Sequence, residues 1–231
     1  MAGVVGIYLL DSSLLLFSNE GILSPGWGGN WLVNLGSGKF QLNGKDVFVP
    51  NPLFPHRPLF RLHWSVPCNH VSEVCDLGQR EALFRPLVPV VWGIAVALFV
   101  LLPLGLFSSL GEQMLLTAVL FLYLCIGAAL IWVGINRSEF GLSTKRFVAI
   151  AFESLVCSPI ALNIIRKISR EMPIDDDLVV TARRLQTPGH WIESRTSILA
   201  RLDGEIEQED EDSERAGALL RYKKELAMET A

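Results

Sequence analysis

Charged residues are missing from two long stretches near the middle of this 231-residue sequence. The first stretch is Leu87–Phe107 and the second is residues 114–135. A charge at the centre of a bilayer costs about 2.5–3.5 kcal/mol, so segments that cross a membrane avoid charged side chains. As a helix the first stretch would reach about 31 Å, which matches a hydrocarbon core about 30 Å thick. The absence of charge therefore predicts two transmembrane helices.

Positive charge is also missing from the link between these stretches. Residues 108–113 contain no Lys or Arg, whereas Arg80 and Arg85 precede the first stretch and Arg137 follows the second. So short a link forces the two helices to run antiparallel, and basic flanks favour the cytoplasmic side. The sequence predicts a transmembrane hairpin over residues 87–135, with both termini cytoplasmic if the membrane is a bacterial inner membrane.

The two predicted spans contain no Asp, Glu, His, Lys or Arg. This argues against a proton or ion relay within one subunit, because such relays use ionisable side chains inside the membrane. Small residues are present instead. Gly93 and Ala97 lie four positions apart in the first span, and Gly127 and Gly134 lie in the second. Because small side chains let helices approach closely in lipid, these four are predicted helix-packing positions.

The sequence has neither an excess of basic residues nor a recognisable catalytic motif. Its net charge is −4, whereas binding to nucleic acid depends on Lys and Arg neutralising phosphates. We therefore expect no nucleic-acid partner. The P-loop, G-x-S-x-G and H-E-x-x-H patterns are all absent from the sequence. No residue is assigned a catalytic role, and no cofactor is expected apart from the zinc alternative given below.

The first 66 residues begin with an apolar stretch that lacks the basic start of a signal peptide. Residues 4–10 and 14–17 are predicted to form two short strands joined by a turn at 11–13. Asn43-Gly44 separates two further short segments and is typical of a type I′ turn in a β-hairpin. Residues 1–66 are thus predicted to be a small β-rich region whose aromatic side chains form its own core or dock on a partner.

Cysteine is scarce, with four residues in the chain, and two of them lie close to histidines. Residues 67–86 form a linker with Cys68 and Cys75, and a zinc site is one hypothesis for its neighbourhood. The spacing does not follow a standard zinc motif, and a Cys68–Cys75 disulfide or free thiols are the alternatives. The four candidate zinc ligands are His63, Cys68, His70 and Cys75.

Residues 136–170 contain a third apolar run that is interrupted by Glu153 and Pro159. Basic residues bracket this run on both sides, which favours a helix lying on an anionic membrane surface, or re-entering it, over a third span. The predicted membrane-surface residues are Lys145, Arg146, Arg166, Lys167 and Arg170.

Residues 171–231 are predicted to be a cytoplasmic helical tail. Asp175, Asp176 and Asp177 would cap one helix, and a second helix would start near Trp191. Residues 205–214 contain a run of carboxylates that does not fit a calcium loop, because the sixth position is not Gly. We interpret this run as a solvated acidic surface.

Together these features predict a membrane protein: an antiparallel two-helix transmembrane hairpin, a small β-rich amino-terminal region and an α-helical carboxy-terminal region. The expected function is that of a non-catalytic accessory or scaffold subunit in a larger membrane-associated complex. Its expected partners are the lipid bilayer and other protein subunits. Two alternatives stay open: an oligomeric pore, transport or toxin-neutralising protein, and a membrane-bound enzyme that uses the Cys/His cluster.

Overall fold

The computed structural model describes residues 2–64, 76–107, 111–210 and 213–228, and the chain divides into two compact units. Most of the described residues are helical, and two small antiparallel sheets lie in the amino-terminal third. Unit 1 contains Met1–Ser13, Pro50–Pro58 and Asp76–Pro173. Unit 2 contains Leu14–Val49, Leu59–Cys75 and Ile174–Ala231. Each unit is therefore assembled from segments that are far apart in the sequence.

Unit 1 begins with helix α1 (Ala2–Ser12), so the prediction of a strand at residues 4–10 is wrong. A short, continuously apolar run fits a buried strand and a buried helix equally well by periodicity. Packing decides between them here, because the Tyr8 side chain is buried in a cluster with residues of the hairpin. The helix form also satisfies the backbone hydrogen-bonding groups of this apolar segment internally.

The hairpin consists of two helices long and apolar enough to cross a membrane, Leu87–Phe107 and Gly111–Ile135. The first is divided into α3 (Leu87–Val96), a π-helical turn (Ala97–Leu101) and α4 (Leu102–Phe107), and the second is α5. At the turn the Leu102 N–H donates to the carbonyl oxygen of Ala97, five residues back. Pro103 follows directly. Its ring would collide with a carbonyl four residues earlier in a regular helix, and the wider turn relieves this clash.

The two hairpin helices bury one face and leave the others exposed. The buried face contains Ile94, Leu98, Leu122 and Ile126, which pack in one cluster with Ala97. Only 28% and 22% of the residues in their most apolar windows are buried. The most exposed large apolar side chains of these two helices are Leu104, Leu106, Phe107, Leu116, Leu120, Leu124, Ile131 and Ile135.

The four predicted helix-packing residues occupy three different environments. A Cβ added to Gly93 would lie 2.9 Å from Cys125 Sγ, and Ala97 is fully buried, so both lie where α3 and α5 meet. A Cβ at Gly134 would lie 3.2 Å from the Phe147 ring, which belongs to the following helix. Gly127 faces open space, with no atom within 4 Å of an added Cβ, so it packs against no other helix of the described chain. It lies on the helix next to the buried face rather than on it.

The remaining helices of unit 1 are short. They are α2 (Leu77–Ala82), α6 (Thr144–Val156), α7 (Ser158–Ala161) and α8 (Ile164–Glu171). The third apolar run breaks between α6 and α7 because Cys157 leaves the helical conformation and Pro159 starts a new helix. With 13 residues α6 extends about 20 Å, which is too short to cross a hydrocarbon core about 30 Å thick.

Unit 2 contains two three-stranded antiparallel sheets. Their strands are β1 (Leu14–Leu16), β2 (Glu20–Pro25), β3 (Trp31–Asn34), β4 (Gln41–Leu42), β5 (Lys45–Phe48) and β6 (Phe60–His63), in the orders β1-β5-β4 and β3-β2-β6. The predicted β-hairpin at Asn43-Gly44 is confirmed. Gln41 pairs with Asp46 across the turn, and Asn43 and Gly44 both have the positive φ that a type I′ turn requires.

Three helices complete unit 2: α9 (Leu178–Leu185), α10 (Pro188–Gln208) and α11 (Glu214–Met228). Asp177 caps α9 by accepting hydrogen bonds from the N–H groups of Val179 and Val180, which confirms the predicted helix start. The predicted apolar side of α10 is confirmed, because Trp191, Ile198 and Leu202 on it are buried. These contacts give unit 2 its own apolar core.

The contact between Gly93 and Cys125 yields a first prediction. Gly93→Ala adds a methyl group 2.9 Å from Cys125 Sγ, whereas Gly127→Ala adds the same group to open space. Both changes raise helix propensity equally, so the difference between them reports packing. We expect Gly93→Ala to be less stable than Gly127→Ala by about 1–3 kcal/mol, as for overpacked cores. Thermal unfolding of the full chain in mild detergent measures this difference.

A second substitution serves as a control for this contact. Cys125→Ala in the Gly93→Ala background removes the sulfur that the new methyl group would meet, and it should recover most of the lost stability. Equal stability of the two single variants would contradict the close approach of α3 and α5 at Gly93.

Candidate functional site

Of the four residues predicted to bind zinc, the structure describes His63 alone. His63 lies at the end of β6 with an exposed side chain, while Cys68, His70 and Cys75 lie outside the described residues. Within residues 2–64, 76–107, 111–210 and 213–228, no three His, Cys, Asp or Glu side chains are grouped to hold a metal ion. Cys125 and Cys157 are free thiols. The zinc hypothesis stays a prediction.

The five residues predicted to face a membrane surface separate into two groups. Lys145 is exposed, Arg146 forms an ion pair with Glu171, and Lys167 and Arg170 line the same pocket as Arg146. Arg166 does not belong on the surface, because only 1% of it is exposed and its guanidinium lies inside unit 1. The sequence pattern of alternating basic and apolar residues did not separate the buried side of α8 from its exposed side.

The Arg166 guanidinium joins three distant segments of unit 1. Its Nη2 donates to the carbonyl oxygens of Asn51 at 2.7 Å and Phe54 at 3.0 Å, both in the 50–58 segment. Its Nη1 donates to Tyr8 Oη in α1 at 3.1 Å and to Asn163 Oδ1 at 3.2 Å. All four acceptors are uncharged. No carboxylate of the described residues lies within ion-pair distance of Arg166, so these four hydrogen bonds offset the cost of burying its charge.

Asn163 and Tyr8 extend this network. The Asn163 side-chain amide donates to the Tyr8 carbonyl oxygen at 3.1 Å and to Asp11 Oδ2 at 2.9 Å. The Tyr8 hydroxyl donates to the Pro52 carbonyl oxygen at 2.8 Å. Burial raises the pKa of Tyr8 above its usual value, and the neighbouring Arg166 opposes part of this rise. The tyrosine therefore stays a neutral hydrogen-bond donor at physiological pH.

A charged pocket lies beside this network in unit 1. Lys167 Nζ lies 2.8 Å from Asp11 Oδ1 and 2.5 Å from Glu153 Oε2, and Arg146 pairs with Glu171. Burial is the main cause that lowers the pKa of Arg170, and Asp11 and Glu171 oppose this shift. The pocket has a volume of about 480 Å³, and its charged lining consists of Asp11, Arg146, Glu153, Lys167, Arg170 and Glu171.

Unit 2 has a pocket of its own, of about 560 Å³, at the side of α10. Arg201 lines it, forms an ion pair with Asp46 and donates from Nε to the Ser18 carbonyl oxygen at 3.2 Å. Glu205 is 6% exposed, and burial raises the pKa of its carboxyl, opposed by a hydrogen bond from Ser18 and by Arg215. Asp46 lies in β5 next to the turn at Asn43-Gly44, so the hairpin holds one wall of this pocket.

The residues lining both pockets can bind charged groups, and neither lining contains a His. The unit 1 pocket contains no Ser, Cys, Thr or His in its lining, and the unit 2 pocket contains Ser18 and Ser197 without a His. Ser18 is hydrogen-bonded to the Glu205 carboxyl. The chemistry of both linings therefore fits ionic and hydrogen-bonding recognition.

Sequence reasoning missed several members of these sites. Tyr8, Asp11 and Asn51 lie more than a hundred residues from Arg166, and nothing in the local sequence links them. One local signal was available: Arg166 lies among Ile164, Ile165 and Ile168, which are all buried. When apolar residues occur on both sides of a basic residue along one helix, the face that they share can be buried together with the charge.

Removal of the guanidinium fork should destabilise unit 1. Arg166→Lys keeps the charge but loses the planar donors, leaving the Asn51 and Phe54 carbonyl oxygens buried without their partner. We expect a loss of about 3–5 kcal/mol, as for breaking a buried charge network. Thermal unfolding in detergent measures this loss, and hydrogen exchange should become faster in residues 2–12 and 50–58.

The matched control for this change is Arg85→Lys in the same unit. Arg85 has a 72% exposed side chain and reaches Glu81 only at 4.0 Å, so the substitution should cost less than about 0.5 kcal/mol. If Arg166→Lys is as stable as Arg85→Lys, the guanidinium does not hold the segments together.

The buried carboxyl of Glu205 predicts a pH dependence of unit 2. Because its pKa is raised above the usual 4.5, the folded state binds the proton more tightly than the unfolded state. Stability should therefore fall as the pH rises from about 4.5 through the raised value. Glu205→Gln cannot titrate and should lose this part of the slope. Urea midpoints between about pH 4 and pH 8, read from proteolysis within α10 and α11, test this.

Glu193→Gln is the control for this measurement, because the Glu193 side chain lies on the same helix and is 81% exposed. Its pH profile should follow that of the wild type. A wild-type slope that persists in Glu205→Gln would show that another group causes it.

The candidate sites are the two pockets and the buried Arg166 network. A scan of protein-family models found no match to this chain, and searches of curated proteins and of solved structures also found none. Function is therefore inferred from the chemistry and exposure of the chain's own side chains.

Proposed function

We propose that this chain is a non-catalytic accessory or scaffold subunit of a membrane-associated complex, anchored by unit 1. One observation supports the membrane anchor: the two hairpin helices expose most of their apolar surface, with 28% and 22% of their most apolar windows buried. A core helix of a soluble protein would hide such a surface from water. Lipid acyl chains can cover this apolar surface without a further protein.

The short helices of unit 1 support the same position. On α6 the side chains of Val148, Phe152, Leu155 and Val156 are exposed, and they repeat at helical spacing along one face. On α1 Leu10 is 78% exposed. Helices that are too short to span and carry an apolar outer face fit a position in the plane of the membrane interface. We therefore propose that α6 lies on the membrane, as the sequence predicts.

The orientation follows from the basic residues that flank the hairpin. Arg80 and Arg85 precede α3, and Arg137 follows α5, so we propose that both chain termini lie on the cytoplasmic side of an inner membrane. Leu110→Cys in the link should then react with an impermeant thiol reagent added from outside. Reaction from the cytoplasmic side alone would invert this topology.

Unit 2 supplies the proposed docking surface for protein partners. The β4–β5 hairpin carries Phe40 with 74% exposure and Leu42 with 55% exposure on a turn fixed by Asn43-Gly44. Exposed aromatic side chains held by rigid elements are common anchors of protein interfaces. The charged linings of the two pockets also favour a binding role.

Affinity purification of the full chain in mild detergent, followed by mass spectrometry, tests the proposal. Wild-type protein should bring down a reproducible set of subunits. Phe40→Ala with Leu42→Ala should reduce their yield about tenfold or more, since anchor residues contribute at least 2 kcal/mol. Leu220→Ala is the control, because Leu220 is 51% exposed on α11 and should leave the yield unchanged.

Two results would contradict the proposal separately. Release of the chain from membranes by alkaline carbonate would refute membrane anchoring. Recovery of the wild-type chain alone, as a stable monomer in mild detergent, would refute the scaffold role while leaving the anchor intact.

A further inference from the structure

The charged side chains of the unit 1 pocket differ in how far they are exposed to solvent. Lys167 and Asp11 lie deepest, with side chains 11% and 16% exposed. Arg146, Glu153 and Glu171 form the rim, with side chains 53%, 46% and 36% exposed. A pocket of about 480 Å³ is within the range of about 300–1,000 Å³ that small-molecule sites occupy.

Arg170 is the cation in this pocket with spare hydrogen-bonding capacity. Lys167 already contacts two carboxylates, and Arg146 contacts Glu171. Within the part of the chain that the structure describes, no carboxylate lies within ion-pair distance of Arg170, although its guanidinium is largely desolvated. Asp11 and Glu171 act on Arg170 only at longer range. A partly buried guanidinium fork without a direct ion pair suits the oxygens of a phosphate group, which it can bind with two parallel hydrogen bonds.

The carboxylates at the rim favour a ligand that also carries a positive group. The charged lining holds three cations and three anions, so an anionic ligand would leave the pocket with a net negative charge. A ligand with one phosphate and one ammonium group keeps the balance. The ammonium can donate three hydrogen bonds to carboxylates such as Glu153 and Glu171, whereas a quaternary ammonium can donate none.

The surroundings of the pocket show why its ligand should be an amphiphile. On α6, Arg146, Ala149 and Glu153 line the pocket, while the neighbouring stripe of Val148, Phe152 and Val156 is apolar and exposed. The two stripes are adjacent on one helix, so a polar headgroup in the pocket places its attached chains along the apolar stripe. A phospholipid has this division of chemistry, whereas free phosphate does not.

We propose that the pocket between α6 and α8 binds the headgroup of a phospholipid with a primary ammonium, of the phosphatidylethanolamine class. Arg170 holds the phosphate, and the rim carboxylates Glu153 and Glu171 accept hydrogen bonds from the ammonium. This site rests on the proposed membrane position of unit 1 but not on the proposed scaffold role of unit 2. It would fix unit 1 against the membrane at one defined point.

Lipid retention by the full chain tests this site. Delipidated protein in mild detergent is mixed with phosphatidylethanolamine, phosphatidylcholine or phosphatidylglycerol of identical acyl chains, and bound lipid is counted by native mass spectrometry. The wild type should retain phosphatidylethanolamine about fivefold or more over phosphatidylcholine, since only the former donates hydrogen bonds to the carboxylates. Arg170→Gln and Ala149→Phe should both abolish this preference, the first by removing a phosphate donor and the second by filling the pocket.

Lys145→Gln is the matched control, because it removes one positive charge from the same helix outside the pocket lining. The preference should persist in this variant. If Lys145→Gln lost the preference for phosphatidylethanolamine equally, or if both pocket variants kept this preference, the pocket would not be its cause and the proposed site would be wrong. Equal retention of phosphatidylcholine, or stronger retention of phosphatidylglycerol, would overturn the headgroup assignment.

Soluble phosphoethanolamine separates a lipid from a free metabolite as the ligand. If it displaces the lipid at equal concentration, the apolar stripe contributes nothing and the lipid assignment is wrong. None of these outcomes depends on partner recovery, so failure of the lipid site and failure of the scaffold role remain distinguishable.

Discussion

Unit 1 depends on one buried guanidinium. Arg166 is nearly inaccessible to water, and four neutral oxygens from α1, from Asn163 and from the 50–58 segment surround it. A charge inside a protein is tolerated only when hydrogen bonds replace its hydration, so the guanidinium requires all of these segments to be present. Because Arg166 has a planar array of donors, it also fixes their relative positions. The apolar α1 helix is thus held against the hairpin by polar contacts as well as by Tyr8 packing.

This buried network and the charged pocket share residues, and together they give unit 1 an unusual surface. Asn163 links Arg166 to Asp11, and Asp11 in turn pairs with Lys167 in the pocket. On the other faces, α5 and α6 expose leucine, isoleucine, valine and phenylalanine side chains. A fixed set of charges bordered by an apolar surface is the arrangement that a membrane interface stabilises, because headgroups and acyl chains are separated there in the same way. Unit 2 has instead a conventional apolar core and a more polar surface.

Elements that depend on local chemistry were predictable, and those that depend on distant contacts were not. The turn at Asn43-Gly44 and the cap at Asp177 follow from residues that adopt special conformations or offer a short acceptor, so the neighbouring residues suffice. Residues 4–10 were predicted as a strand and form a helix, because an apolar run of this length has no decisive period. Arg166 was predicted on a surface and is buried, because its acceptors come from segments more than a hundred residues away.

The sequence by itself determined the two apolar helices, since hydrocarbon thickness and the cost of buried charge leave a local signature in any segment of sufficient length. It did not determine the division into units, because the strands and the carboxy-terminal helices belong to the same unit. Only the tertiary structure decided which basic residues of the 145–170 segment point inward. Helical periodicity tells which residues share a face but not what that face meets. The partners of Arg166, and the grouping of Arg146 and Arg170 around one pocket, arise from contacts between distant segments that no local pattern encodes.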